Sequence, residues 1–561
     1  MPKHDWRAAF LTLLVAGCTG PDGAGAADPA RFHRFVYEGS EPENLPRPGP
    51  GQYANPILAG FYPDPSITRA GDKYYLVTST FAYFPGIPVF ESRDLVSWTQ
   101  VGNVIDRAGM LDFTGLGLSR GVFAPTIEFH DGLFHVANTC VDCGGNFVVT
   151  AEDPKGPWSD PIWLSEVGGI DPGLFFDEDG KVYVINNDAP EGEPRYEGHR
   201  AVWIREVDPE TFQSISEPRV LIDGGVRPEE NPVWIEGPHI YRVGERYYLS
   251  AAEGGTAINH SQVVLRADNV LGPYTPYEEN PILTQRHLPP DRENPITSVG
   301  HADLVTDAEG QWWATFLGIR PYEEDYHNLG RETFLMRVEW KDGWPVMMSG
   351  EEEVPYVADR PALPKAEPPA LPTRGAFRVE NEFDEPLGYH WMTVRGDPDG
   401  FSRVKDGDLL LELGRERLGE RGKPSLLVRR VQHTSAEAVT ELTFSPAGEG
   451  EEAGLVILQS DGFFYKLGVG RGEEGLEVRL RKKAGDDAAP LGDLVARAPL
   501  AGAGPVELRV ALDGGEMRFF YREDKEEWLP LGGVQDARIL STKMAGGFVG
   551  ATVGVYAESG E

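Results

Sequence analysis

The chain has 561 residues, more than one hydrophobic core usually serves, so at least two domains are expected. It carries 52 basic and 89 acidic side chains, giving a net charge of -37. Such an acidic surface repels phosphate backbones and anionic membranes, so nucleic acid is not an expected partner. An uncharged substrate such as a sugar is compatible with this charge.

The first 27 residues have the pattern of an export signal. Lys3 and Arg7 precede the apolar run AAFLTLLVAG, which is too short to cross a bilayer as a mature helix. Residues 15–18 (VAGC) fit a lipoprotein cleavage site with Cys18 as a lipid anchor, and ordinary cleavage near residues 24–26 is the alternative. Export to the cell envelope, periplasm or medium is expected, and no later segment is apolar enough to be transmembrane.

Residues 53–355 contain five copies of one pattern, and residues 28–52 are expected to form an N-terminal arm. Each copy has a polar turn, a short apolar strand, a tight turn and an aromatic-rich strand, with few helical segments between them. Repetition at this spacing predicts an all-β, five-bladed β-propeller. The first inner apolar residues of the copies are Ile67, Ile127, Leu174, Ile240 and Leu304.

The repeats also predict which side chains meet. The first strand of each propeller blade lines the central axis, so equivalent positions converge there. Three residues before each apolar anchor stand Asp64, Ala124, Asp171, Gly237 and His301, and Glu236 directly precedes Gly237. We therefore expect Asp64, Asp171, Glu236 and His301 at one end of the channel.

The composition changes after residue 355. Residues 356–376 are Pro-rich and are expected to form a semi-rigid linker. Residues 377–561 alternate apolar and polar side chains in short runs such as SLLVRRV, GLVILQS and VELRVAL, which predicts a second domain of β-sandwich type.

Three converging carboxyl groups suit the hydrolysis of a glycosidic bond. One carboxylic acid protonates the leaving oxygen, one carboxylate activates water, and a third anion keeps the acid protonated by repulsion. Taken singly, Asp64 and Asp171 precede Pro and could be turn-capping residues, and Glu236 could be a solvated strand end. Their recurrence at equivalent blade positions favours a catalytic set, because burying unpaired carboxylates is costly.

Several long motifs carry a family resemblance across nearly the whole mature chain. They are NPILAGFYPDPSI, GIDPGLFFDEDGKVYV, WIEGPHIY, VGHADLV, LGRETFLMRVEWKDGWPV and AGGFVGATVGVYA. With these motifs the chain resembles glycoside hydrolase family 43, in the β-xylosidase and α-L-arabinofuranosidase branch with a C-terminal concanavalin-like β-sandwich. The resemblance implies an inverting mechanism, with Asp64 as general base, Glu236 as general acid and Asp171 as the residue that tunes the acid.

The resemblance also implies residues that bind substrate. Arg331 matches a sugar-binding arginine, Phe84 and Phe123 match pocket aromatics, and Phe548 matches a side chain that the sandwich inserts into the pocket mouth. For the three phenylalanines ordinary core packing is the alternative. His301 matches an axial histidine sometimes found near a calcium ion, and its alternative is a neutral core histidine near Asp64. No cofactor is required, and Ca²⁺ would be structural or charge-tuning.

The predicted activity is exo-acting release of xylose from the non-reducing ends of xylo-oligosaccharides or arabinoxylan fragments. Removal of α-L-arabinofuranose groups, alone or with xylosidase activity, is the close alternative. A non-catalytic sugar-binding propeller and a retaining five-bladed fructan enzyme are the more distant ones. The motif Cys140-x-x-Cys143 is read as two thiols or one small disulfide loop without a catalytic role. Whether the protein forms a homo-oligomer is left open.

Overall fold

The computed structural model describes residues 28–348 and 351–560, so the export signal and Cys18 lie outside the described residues. The described chain is all-β, as predicted, and its one α-helix is the four-residue segment Thr542–Ala545. Two short 3₁₀ helices cover Pro228–Glu230 and Ala537–Leu540. No described helix has the length and apolar character needed to cross a membrane.

The first half of the described chain forms five antiparallel sheets of four or five strands. Two strands precede them, β1 (Ala30–Ser40) and β2 (Gln52–Ala54). The first sheet contains β3 (Ser66–Ala70), β4 (Lys73–Val77), β6 (Gly86–Ser92) and β7 (Thr99–Ile105), with β5 (Tyr83–Phe84) outside it. The second contains β8 (Gly121–Val122), β9 (Thr126–His130), β10 (Leu133–Val141), β11 (Gly145–Ala151) and β12 (Ile162–Trp163).

The remaining three sheets follow in chain order. The third contains β13 (Ile170–Phe176), β14 (Val182–Asp188), β15 (Ala201–Val207) and β16 (Arg219–Asp223). The fourth contains β17 (Glu236–Val243), β18 (Arg246–Glu253), β19 (Ser261–Ala267), β20 (Thr275–Pro276) and β21 (Leu283–Thr284). The fifth contains β22 (Thr297–Thr306), β23 (Trp312–Ile319), β24 (Glu332–Lys341) and β25 (Trp344–Val346).

The inner strands of the five sheets pack in a closed ring. β3 contacts β9, β9 contacts β13, β13 contacts β17, β17 contacts β22, and β22 contacts β3 again. Each of these strands carries one apolar anchor of the sequence repeat and pairs with the strand that follows it in its sheet. The ring therefore brings the five repeat positions to one axis.

The C-terminal half packs two large sheets face to face. Its strands are β26 (Val357–Asp359), β27 (Phe377–Asn381), β28 (Thr393–Val394), β29 (Ser402–Lys405), β30 (Asp408–Leu411), β31 (Ser425–Arg430), β32 (Ser435–Thr443), β33 (Glu452–Ser460), β34 (Phe463–Gly472), β35 (Gly475–Ala484), β36 (Asp493–Pro499), β37 (Val506–Asp513), β38 (Glu516–Glu523), β39 (Leu529–Asp536) and β40 (Thr552–Glu558). One sheet has the order β29-β30-β1-β32-β37-β38-β39, with β27 also on β1, and the other β31-β40-β33-β34-β35-β36.

The N-terminal arm is part of this sandwich. β1 pairs with β27, β30 and β32, and Phe32, Phe35 and Tyr37 are buried in the core between the two sheets. The N-terminal arm thus supplies an inner strand of the sandwich sheet, because β1 lies between β30 and β32.

The two halves share a hydrophobic cluster as well as a strand pair. Phe61, Phe81 and Tyr83 of the first half pack against Val428 and Val549 of the second. β5 pairs with β28, and β2 pairs with β26 from the Pro-rich segment. The sandwich is thereby fixed beside the end of the ring where the repeat residues lie.

Candidate active site

A cavity of about 430 Å³ opens at the axis of the ring, within the usual range of small-ligand pockets. Asp64, Asp171, Glu236 and His301 all line it, so the structure brings together the four axial residues that the repeat analysis selected. None of the four is more than 7% exposed. Polar groups this deeply buried need specific partners, and their contacts define the chemistry available.

The backbone explains why these positions converge. Asp64, Asp171, Gly237 and His301 have φ values of 54°, 56°, 56° and 53°, in the left-handed region that is uncommon for residues other than glycine. Pairing of β13, β17 and β22 shifts register beside these residues, as in a β-bulge. A bulge re-aims a side chain, here toward the axis. Residues held in this region cluster at functional sites.

Gly237 is required at its position for a second reason. A Cβ added there would lie 2.6 Å from Cε1 of His301, well inside contact distance. The absent side chain allows the imidazole to pack beside the carboxyl-bearing Glu236. This explains why Glu236 is offset by one residue from the repeat position.

Asp64 is held by two donors. Arg331 Nη1 donates to Asp64 Oδ1 at 2.6 Å, and the Ser79 hydroxyl donates to Oδ2 at 2.5 Å. Arg331 and Asp64 are both buried, and such a pair is geometrically fixed and only weakly screened by solvent. The structure therefore places Arg331 beside this carboxylate, as the resemblance implied.

The surroundings of the Glu236 carboxyl group differ from those of Asp64 and favour its protonated form. Burial raises its pKa, repulsion from Asp171 and Asp64 adds to this against the attraction of His301 and Arg331, and the pKa reaches about 8. Its Oε1 atom is buried and has no hydrogen-bond partner among the described residues. A protonated carboxyl that lines the cavity is suited to donate to a ligand atom there.

Asp171 and His301 form an adjoining pair. His301 Nε2 lies 3.6 Å from Asp171 Oδ2, and the Gly237 amide donates to the same oxygen at 3.1 Å. Burial lowers the pKa of His301, but Asp171, Asp64 and Glu236 outweigh it and raise the pKa to about 9. His301 therefore lies beside Asp171, whereas the alternative considered from sequence placed it near Asp64.

A calcium ion takes oxygen ligands, so the imidazole nitrogens of His301 do not fit one. Within residues 28–348 and 351–560, no group of three or more His, Cys, Asp or Glu side chains is arranged to hold a metal.

Three phenylalanines form an aromatic wall of the cavity. Phe548 from the sandwich stacks on Phe81 with ring centroids 6.0 Å apart and meets the edge of Phe123 at 5.7 Å. Its amide donates to the Ser119 hydroxyl at 2.8 Å. The structure therefore places Phe123 and Phe548 at the pocket, as expected from the resemblance.

Phe84 is not at the pocket, and this expectation needs correction. It lies on β5 paired with Thr393 and packs in a core cluster with Ile87 and Val89. Phe81, three residues earlier, takes the place in the wall instead. The sequence motif identified the right segment, but the direction of each side chain depends on the local turn, in which Phe81 has φ of 56°.

Five further lining residues were missed from sequence. Trp234 lies two positions before Glu236, within a motif that was already singled out, and Arg200 stacks 4.1 Å from its ring. Arg120 is held by Asp142 at 2.6 Å. No sequence signal marked Arg120. The other lining residues that the sequence did not predict are Ile170, Gly255 and Thr256.

The two cysteines form a disulfide next to this site. The loop that it closes contains Asp142, which holds Arg120. Thr139, directly before Cys140, accepts a hydrogen bond at its hydroxyl from the Asp171 amide at 3.2 Å. The bridge thus stabilises a turn that contacts two residues lining the pocket.

Comparison with known proteins gives two family matches. Residues 53–345 match Glycosyl hydrolases family 43, and residues 380–561 match the Beta xylosidase C-terminal Concanavalin A-like domain. A xylosidase/arabinosidase from Butyrivibrio fibrisolvens is 36% identical over 90% of this chain and 95% of its own length. A non-reducing end α-L-arabinofuranosidase from Bacteroides ovatus is 35% identical over 90% of this chain and 91% of its own length. The crystal structure of a GH43_12 protein from a capybara gut metagenome superposes with a TM-score of 0.87 at 38% identity, covering 95% and 100% of the two chains.

Proposed function

The chain belongs to glycosyl hydrolases family 43, and from this premise we propose that it releases xylose from the non-reducing ends of xylo-oligosaccharides by an inverting mechanism. Family membership confirms the resemblance seen in the motifs and makes the protein a glycoside hydrolase with β-xylosidase or α-L-arabinofuranosidase activity. We propose three further points: that xylose is preferred over arabinose, that the site residues have the roles given below, and that the anomeric configuration is inverted.

One observation carries the proposed mechanism: two buried carboxyl groups with opposite environments line the same cavity. Asp64 accepts hydrogen bonds from a guanidinium and a hydroxyl, which suits a carboxylate acting as general base on water. Glu236, with its pKa raised to about 8 and a free Oε1, is suited to protonate the leaving oxygen. Different environments around two carboxyl groups of one site distinguish the base from the acid.

Asp171 has the third role. Its charge is the second-largest cause of the raised pKa of Glu236, after burial. It also fixes His301 and the Gly237 amide, which flank Glu236. In the proposed cycle, water attacks the anomeric carbon as Asp64 takes its proton, while Glu236 gives its proton to the departing oxygen. Inversion requires room for that water, which corresponds to carboxyl groups roughly 6.5 to 9.5 Å apart.

The aromatic wall supports exo action. Phe548 is contributed by the second domain and closes the side of the cavity that Phe81 and Phe123 begin. A cavity of about 430 Å³ bounded in this way is a pocket for a chain end rather than a groove for a chain interior. Arg331, whose Nε has no partner among the described residues, is proposed to contact the sugar hydroxyls.

We also propose the architecture predicted from the repeats, with the five sheets as five propeller blades in a catalytic unit of residues 53–355. Residues 356–376 are the linker, and residues 377–561, joined by β1, form the concanavalin-like sandwich. The closed ring of inner strands supports the blade count.

Export is proposed from the N-terminal pattern of basic residues and an apolar run. Mass spectrometry of the mature protein tests it. A lipid-modified Cys18 supports anchoring to the envelope, cleavage near residue 26 supports secretion of a free protein, and an unprocessed Met1 contradicts export.

Two measurements test the function. The protein should hydrolyse nitrophenyl β-xyloside faster than nitrophenyl α-L-arabinofuranoside. Hydrolysis of the arabinofuranoside alone would show that the activity is that of an α-L-arabinofuranosidase and not of a β-xylosidase. Proton NMR should show α-xylose as the first sugar released from xylobiose. Release of the β-anomer would contradict the inverting mechanism, and absence of turnover on both glycosides would favour a binding protein.

A further inference from the structure

A second cavity, of about 220 Å³, lies where the propeller unit, the linker and the sandwich meet. It shares no lining residue with the active-site cavity. Its mouth is marked by Tyr389, which is 50% exposed, and by the exposed Thr99. Its interior residues include Tyr62, Thr373, His390, Arg429, Arg430 and Gln432.

Two arginines in this cavity are buried without a counter-charge. Arg429 is 1% exposed and Arg430 3%, and neither forms an ion pair with a carboxylate in the part of the chain that the structure describes. Nε and Nη1 of Arg429 and Nη2 of Arg430 have no hydrogen-bond acceptor there. A buried charge without a counter-ion is costly, so two adjacent guanidinium groups that line a cavity without a carboxylate favour an anionic ligand there.

Three other buried arginines of this protein show the usual solution, whereas Arg205 donates to the Glu166 backbone carbonyl and lacks a carboxylate partner among the described residues. Arg395 is paired with Asp461 at 2.5 Å, Arg320 with Glu332 at 2.7 Å, and Arg331 with Asp64 at 2.6 Å. Each of these guanidinium groups has a carboxylate within hydrogen-bond distance. The pair in the second cavity differs by lacking one, although the chain as a whole has 37 more acidic than basic groups.

The contacts that Arg429 and Arg430 do make fix their positions and leave their charge uncompensated. Arg429 stacks 4.4 Å from the Tyr37 ring and donates from Nη2 to Gln432 at 3.0 Å. Arg430 stacks 4.2 Å from the Tyr62 ring and donates from Nε to the Phe61 carbonyl at 2.7 Å. Aromatic faces orient a guanidinium and carry no full negative charge.

We propose that Arg429 and Arg430 form a binding site for a small oxyanion, either inorganic phosphate or a short carboxylate. The planar guanidinium fork matches both groups geometrically. His390 also lines the cavity and brings no negative charge to it. Burial lowers its pKa, the charge of Arg429 adds to this, and the pKa falls to about 3, so the ring is neutral, with Nε2 3.2 Å from Asn381 Oδ1.

Occupancy of this site is linked to the catalytic segment through the chain. Arg430 holds Phe61 by a hydrogen bond and by ring stacking at 4.7 Å, and Phe61 stands three residues before Asp64. An anion that neutralises the pair therefore stabilises the junction between the two domains, at a site separate from the substrate pocket.

The test uses the full-length protein, with thermal unfolding and isothermal titration calorimetry against sodium phosphate and sodium acetate at constant ionic strength set by sodium chloride. We expect one anion per chain and a saturable rise of the unfolding temperature. Arg429→Met and Arg430→Met should each weaken binding at least tenfold, because each removes donors but keeps an apolar stem. Arg403→Met, which removes an exposed arginine paired with Glu412, is the matched control and should bind as the parent does.

A second variant covers the case that the arginine variants do not fold. Thr99→Trp places a bulky side chain at the cavity mouth, leaves both guanidinium groups in place, and should abolish anion binding. Binding of phosphate only, or of acetate only, would identify which oxyanion the site takes. A rise in stability that does not saturate, or that is equal in Thr99→Trp and the parent protein, would overturn the proposal as a general salt effect.

Discussion

Replacing Glu236 by glutamine tests the assignment of the acid most directly. Glutamine has nearly the same volume and retains an oxygen, but it cannot transfer a proton. With its pKa at about 8, Glu236 is about 0.9 protonated at pH 7, whereas a carboxyl group at 4.5 would be about 0.003 protonated. The site thus supplies about 300 times more of the acid form than an ordinary glutamate would.

The expected loss depends on the leaving group. General acid catalysis contributes about 10² to 10⁴ in rate, or about 3 to 5 kcal/mol of the barrier. Glu236→Gln should lower kcat/KM by that factor on xylobiose, whose leaving group is a sugar alkoxide. On dinitrophenyl β-xyloside, which leaves without protonation, the loss should stay below about tenfold.

The pH dependence has a defined sign. Activity of the parent protein should fall as pH rises through about 8, because Glu236 then loses its proton, and this basic limb should be absent in the variant. The raised pKa also favours folding below pH 4.5, and this stabilisation is lost between pH 4.5 and 8 as the buried carboxyl ionises. Urea unfolding at pH 5 and pH 9 should therefore show a smaller pH-dependent loss of stability in Glu236→Gln than in the parent.

Glu253→Gln is the matched control. Glu253 is also buried with a raised pKa, but it accepts a hydrogen bond from the Val226 amide and does not line the pocket. This variant should keep the parent's pH profile and its leaving-group dependence. If Glu236→Gln loses the same factor on xylobiose and on the dinitrophenyl substrate, the reasoning about the acid is refuted.

The remaining predictions concern the base, the aromatic wall and the disulfide. Asp64→Asn should lower kcat at least about 10³-fold, whereas Ser79→Ala, which removes one hydrogen bond to Asp64, should cost less than about tenfold; equal losses would argue against Asp64 as the base. Phe548→Ala should raise KM with little change in kcat. Unchanged steady-state kinetics would show that the sandwich domain does not contact the substrate. Replacing Cys140 and Cys143 by alanine should lower the free energy of unfolding by about 2 kcal/mol from the short closed loop and raise KM through the Arg120 contact. Asp142→Asn should raise KM in the same way but keep most of the free energy of unfolding. A double cysteine variant with the stability and KM of the parent would contradict both the structural role of the disulfide and its link to Arg120.

The positions of the catalytic candidates were readable from the sequence because they recur with the repeat. Ile67, Leu174, Ile240 and Leu304 mark inner strands, and the residues before them reach one axis whatever the details of the loops. Turn residues and the alternation of apolar and polar side chains are patterns among neighbouring residues, so they can be recognised in the sequence before the fold is known.

Other features could not be predicted because their partners are distant. β1 lies in the sandwich because Phe32, Phe35 and Tyr37 find their core only when β32, about 400 residues later, is beside them. Phe81, with φ of 56°, lines the pocket in place of Phe84, which is held on β5 by pairing with Thr393 of the second half. Residue propensities and short motifs predict neither the place of β1 nor the phenylalanine at the pocket, because packing against distant residues decides both.

The same division holds for the electrostatics. The sequence by itself determined that three carboxyl groups and one histidine meet at the ring axis, since equivalent repeat positions must converge. Only the tertiary structure decided the surroundings of each group, because burial and neighbouring charges raise the pKa of Glu236, and the neighbouring carboxyl groups raise the pKa of His301. Charge interactions act through space over a few ångströms, and those distances exist only once the chain has folded.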